Sequence, residues 1–170
     1  MVMIYRRKAP YLIGRGALTS AVTANLVSKL LVLASKFKAL DLFISSCGGE
    51  VTAGLTICQC MQALNIKVRT LCFGRAHSVA SLVLASGRSG CRKAIRGSSI
   101  SLHQPAVGCF GNSEEVAQQI GLAFHSETAV IQTYMKVCGK RFNEVRLAMR
   151  KAFAMDANAA QTWGLVDAVF

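Results

Sequence analysis

Apolar residues recur at helical spacing from Thr19 to Leu33, with Val22, Leu26, Leu30 and Leu33 on one stripe, and the run predicts an amphipathic helix. Asp41 to Ser45 then carries a short Leu-Phe-Ile run closed by Cys-Gly-Gly, which reads as a strand ending in a glycine turn. The alternation repeats downstream. Val51, Leu55, Cys58 and Met61 share a face across Glu50 to Leu64, and Val68 to Phe73 is an apolar strand bounded by Gly74. Helices and strands joined by such short connections are the sequence form of βαβ units, so the fold class is α/β with a parallel sheet.

Beyond Ser78 the pattern predicts a small-residue helix to about Ser86, strands at Lys93 to Ile95 and Ser99 to His103, and a long helix over Glu114 to Val137 with Ser113 as its N-cap. A basic helix follows from Phe142 to Lys151. Asp156 stands where an N-cap belongs before Ala157 to Trp163, Gly164 ends that helix, and Leu165 to Phe170 reads as a closing strand. No repeat or linker composition divides the chain.

Composition narrows the class. At 170 residues, 52% hydrophobic and 16% charged, the chain fits one domain that buries surface against partners, and disorder is excluded. Its 20 basic against 8 acidic residues give a net charge of +12 and favour acidic partners. No uncharged apolar run is long enough to span a bilayer. Seven cysteines, an odd number, argue against a disulfide framework and for a reducing compartment, with most of them buried as small hydrophobes. Cys58-Gln-Cys60 lacks both the spacing and the downstream partners of a zinc site, so no metal is expected.

Few residues can do covalent chemistry. A serine nucleophile needs a sharp strand-to-helix turn with backbone N–H groups facing a developing oxyanion, and Gly74-Arg-Ala-His-Ser78-Val-Ala-Ser81 has that form. Spacing alone leaves Ser78 either a nucleophile or a helix N-cap. His103 closes a strand before Gln104-Pro105 and is the best-placed base; His77 reads as a rim residue and His125 as a mid-helix solvent or interface residue. Gly48-Gly49 is either a tight turn or a place where amides approach a ligand closely. The basic stretch from Lys136 to Lys151 reads as a solvated face or a phosphate-facing stripe, with too few aromatics for stacking on single strands.

Taken together, Ile44-Ser-Ser-Cys-Gly-Gly49, Val51-Thr-Ala-Gly-Leu, Gly74-Arg-Ala-His-Ser78, Leu102-His-Gln-Pro105 and Gly164-Leu-Val-Asp167 resemble the proteolytic subunit of the ATP-dependent Clp protease. The likeness runs from Leu12 to Phe170, without a gap after Gly48, and leaves residues 1–11 as a short basic N-terminal segment. It implies a crotonase-like single domain, a protruding helix-strand handle, and seven-membered rings that stack as a tetradecamer, homomeric or mixed. It also implies an AAA+ unfoldase that uses ATP, unfolded polypeptide as substrate, no cofactor in this chain, and residence in the cytoplasm or an organelle's matrix or stroma.

On that pattern Ser78 matches the nucleophile, His103 the general base, and the N–H groups of Gly49 and Val79 the oxyanion hole. The family's third triad member is an aspartate, and here its position holds Ala152. Losing that acid costs about 10⁴ in kcat in studied triads, or ~5.5 kcal/mol of transition-state stabilisation. Asp156 is the one nearby carboxylate that could substitute for it. The expectation is a serine endopeptidase subunit of weakened activity, with an inactive structural subunit of a mixed ring, or a basic nucleic-acid-binding scaffold, as alternatives.

Overall fold

The Leu-Phe-Ile run lies in a strand whose residues alternate between half-buried and buried along its whole length, Ala39–Ser46, because one of its faces packs on the core. The computed structural model describes the backbone at residues 3–4 and the whole of residues 10–170, so most of the basic segment 1–11 lies outside the described residues. In chain order the elements are β1 (Met3–Ile4), β2 (Tyr11–Arg15), α1 (Ser20–Ala34), β3 (Ala39–Ser46), α2 (Val51–Ala63), β4 (Lys67–His77) and α3 (Val79–Ala85). There follow β5 (Arg92–Ala94), β6 (Ser99–Ser101), α4 (Ser113–Cys138), α5 (Phe142–Arg150), β7 (Ala154–Asp156), α6 (Ala157–Trp163) and β8 (Ala168–Val169).

The sheet runs β1-β2-β3-β4-β5-β8, with β6 paired to both β4 and β7. Pairs β2–β3, β3–β4, β4–β5, β4–β6 and β5–β8 are parallel; β1–β2 and β6–β7 are antiparallel. This is a single α/β domain with a mostly parallel sheet, as the alternating pattern implies. Leu26, Leu30 and Leu33 of α1, Ile57, Cys58 and Met61 of α2, and every residue of α3 pack into one core.

Several boundaries differ from the sequence expectation. β4 does not stop at Gly74 but continues to His77, since Gly74 adopts a φ of +85° and lets the strand bulge rather than end. The register with β3 shifts there, from Ile44 opposite Cys72 to Ser46 opposite Ala76. This division lets one strand serve two neighbours: Thr70–Cys72 pair with β5, Arg75–His77 with β6.

α4 is capped by Asn112, not Ser113, through a reciprocal capping box with Glu115. The closing strand shrinks to Ala168–Val169 because Leu165 N–H is taken by Ala160 O at the end of α6. β2 and β7 carried no sequence expectation. Cysteine burial is also less complete than composition implies: only Cys58 and Cys72 are buried, and Cys47 is exposed. Among the described residues no helix is long and apolar enough to cross a membrane, and no cluster of three or more His, Cys, Asp or Glu is placed to hold a metal.

Candidate active site

β4 ends at His77 and α3 starts at Val79, so the whole reversal of direction falls on Ser78. Its φ of +55° and ψ of −135° lie in a region that costs a residue with a Cβ on the order of 1–3 kcal/mol. The surroundings hold it there. Ser78 N–H donates to Ser101 O at 2.9 Å. Its carbonyl accepts from Ser81 N–H at 2.9 Å and from the Ser81 hydroxyl at 2.7 Å. The same hydroxyl lies 2.9 Å from Ser101 O, a second carbonyl that competes for its one hydrogen, and 2.8 Å from Tyr134 Oη, whose hydrogen it can accept.

Ser81 and Tyr134 are buried, and burial pushes the Tyr134 phenol well above its ordinary range, so it stays protonated and available as a donor. Sequence reasoning gave these two no role. The one available signal was a serine inside an otherwise apolar helix, where a buried hydroxyl must find partners.

The Ser78 side chain makes no cap hydrogen bond to α3. It packs on Gly48, where a Cβ would come within 2.7 Å of Ser78 Cβ and 2.8 Å of His77 O. Only glycine fits, and its φ of +94° says the same. On its other side the segment is clamped by Leu18: Leu18 N–H donates to Gly48 O and Glu50 N–H to Leu18 O, both at 2.8 Å. Gly49 N–H and Val79 N–H donate to no protein group among the described residues. Two unengaged amides thus flank a free serine hydroxyl, an arrangement able to receive a negatively charged oxygen.

His103 is exposed just past the end of β6. Since β4 and β6 are parallel neighbours, with His77 opposite Ser101, Ser78 and His103 leave adjacent strand ends on the same edge of the sheet. His77, the last residue of β4, turns to β6: its Nε2 lies 3.0 Å from Ser99 Oγ. Burial, then the charges of Arg75 and His103, hold its imidazole below the usual histidine range.

Residues 102–104 are fixed against the turn after α5, Leu102 N–H donating to Phe153 O at 3.1 Å and Gln104 N–H to Met149 O at 3.2 Å. β6 and β7 pair from Ser99 opposite Asp156 to Ser101 opposite Ala154, where the ladder ends, two residues short of both His103 and Ala152. Ala152 itself lies in the turn after α5, on a backbone of φ +46°.

Asp156 lies opposite Ser99, four residues beyond Ala152. Its carboxylate accepts from Ala159 N–H at 2.8 Å and caps α6, as its sequence position implies. The structure therefore gathers Ser78, Gly49, Val79 and His103 at one edge and engages Asp156 elsewhere.

The family model described as Clp protease matches residues 8–170. With that match covering nearly the whole chain, over a mostly parallel α/β domain, the chain belongs to the Clp protease family.

Proposed function

We propose that this chain is a subunit of a self-compartmentalised, ATP-dependent Clp serine protease, with Ser78 as nucleophile and His103 as general base. In this reading the domain is crotonase-like and spans residues 12–170, with α4 as the protruding handle. Seven-membered rings stack in pairs, and an AAA+ unfoldase of the cytoplasm or an organelle's matrix or stroma delivers unfolded polypeptide and hydrolyses the ATP.

The chemistry runs in two halves. Ser78 Oγ attacks the peptide carbonyl as His103 accepts its proton, the oxyanion is received by Gly49 N–H and Val79 N–H, and His103 returns the proton to the departing amine. Water, deprotonated by the same imidazole, then attacks the acyl carbon; the bond to Ser78 Oγ breaks as the imidazolium returns the proton to that oxygen, and the carboxylic acid product leaves.

The observation that carries this reading is the free Ser78 hydroxyl on its strained turn, packed on Gly48 and flanked by two unengaged amides. Ala152 favours a second reading, a structural subunit of a mixed ring, because the position that matches the family's triad aspartate holds a residue with no carboxylate to fix the His103 tautomer and stabilise the imidazolium. A fluorophosphonate probe applied to the native assembly separates them. Labelling that disappears in Ser78→Ala supports hydrolysis, slow by roughly the 10⁴ that a missing triad acid costs. An unlabelled Ser78 in the intact ring leaves only the structural role.

A further inference from the structure

A cavity of about 540 Å³, lined by none of Gly48, Gly49, Ser78 or His103, opens where α2 and α3 end beside the last turns of α4. Arg88, Arg92 and Lys136 line it, and no aspartate or glutamate does. Arg92 is neutralised by Asp167, with Nη2 2.6 Å from Oδ1. Arg88 and Lys136 are exposed and in no ion pair among the described residues; Lys136 Nζ donates only to the neutral amide of Gln62, at 3.2 Å. Leu64 and Ile66, both half-buried, supply aliphatic surface to the same cavity.

The cation-bearing loop is held in place before anything binds. Arg88 N–H donates to Val68 O and Cys91 N–H to Arg88 O, both at 2.8 Å. Gly87 lies so close to Thr70 that a Cβ would overlap its side chain, and Thr70 Oγ1 donates to Leu84 O at 2.7 Å. A ligand would pay little ordering entropy here.

Two unmatched cations in a cavity with aliphatic surface select for carboxylates interleaved with aliphatic side chains. No aromatic residue lines the cavity, so there is no platform on which a nucleobase could stack. We propose that this cavity docks an acidic, aliphatic peptide segment of a partner protein, its carboxylates pairing with Arg88 and Lys136 and an aliphatic side chain covering Leu64 and Ile66.

The test is calorimetric titration of the assembled protein, at physiological salt, with a short acetylated and amidated peptide of alternating aspartate and leucine. Saturable binding is expected, weakened about tenfold by Arg88→Glu or Lys136→Glu and unchanged by Arg146→Glu, an exposed cation on α5. The milder Arg88→Gln should weaken binding about threefold and serves if a reversal perturbs folding. Fluorophosphonate reactivity at Ser78 should not change in the pocket variants. Absence of binding, equal loss in Arg146→Glu, equal binding of the asparagine-leucine peptide, or displacement by a single-stranded oligonucleotide would each overturn the proposal.

Discussion

Ser78 cannot relax. Its positive φ is imposed by the Ser101, Ser81 and Tyr134 hydrogen bonds on one side and by the absence of a side chain at Gly48 on the other. Strain of this kind persists only where the surroundings over-determine it, and the arrangement makes Gly48 as necessary as the serine. Gly48→Ala combines an unfavourable φ with a Cβ 2.7 Å from Ser78 Cβ. The expected result is a stability loss of about 1–3 kcal/mol in urea denaturation, together with loss of fluorophosphonate labelling even where the variant remains folded. A variant that folds and labels like the parent would show that the two backbones are free to separate.

At the scale of elements, the strand-end arrangement was legible only in part. Periodicity identifies α1, α2, β3 and the body of β4, because each has one buried face that stamps its period on the sequence. It stops β4 at Gly74, since a bulging glycine and a terminating one look alike without the partner strand. β7 is three residues long with a single buried side chain, Met155, too short to carry a period, yet its pairing with β6 is what brings the segment after α5 beside the strand that leads to His103. Motif likeness is what proposes Ser78, His103, Gly49 and Val79, whereas Ser81 and Tyr134 act through a contact 53 residues apart in sequence, which no local pattern encodes.

The turn after α5 makes the proposed loss of a triad acid directly testable. Ala152 has a left-handed backbone, φ +46°, which aspartate tolerates better than alanine does. Ala152→Asp is therefore expected to leave the unfolding midpoint unchanged or slightly higher while raising hydrolysis of a fluorogenic peptide by orders of magnitude, toward the 10⁴ or so attributable to the triad acid. A variant of normal stability with no gain in rate would mean that the turn holds residue 152 out of reach of the imidazole.

For the molecule as a whole, the last residues are tied to the core by the β5–β8 pairing and by one side chain. Arg92, 7% exposed, donates to Ala85 O at 3.3 Å and to Val137 O at 2.7 Å. It also grips both Asp167 oxygens, at 2.6 and 3.0 Å, so the ends of α3 and α4 and the chain's C-terminal segment converge on one guanidinium. Burial alone would raise the Asp167 carboxyl, but the hydrogen bonds and charge of Arg92, with the amides of Arg92 and Gly90, outweigh it and hold the group below its ordinary 3.8.

A folded-state pKa below the unfolded one means that this pair's contribution is complete above about pH 4 and is lost as pH falls through the depressed value. Asp167→Asn, which leaves Arg92 buried without its counter-charge, should cost about 3 kcal/mol at neutral pH. It should also flatten the acid limb of stability against pH, because the missing proton uptake no longer distinguishes folded from unfolded chain. Urea titrations of parent and variant at pH 7 and pH 3, at one protomer concentration so that assembly contributes equally, measure both effects. The gap between the two proteins must narrow at the lower pH, and a gap that stays constant would show that the carboxylate carries no charge-dependent share of the stability.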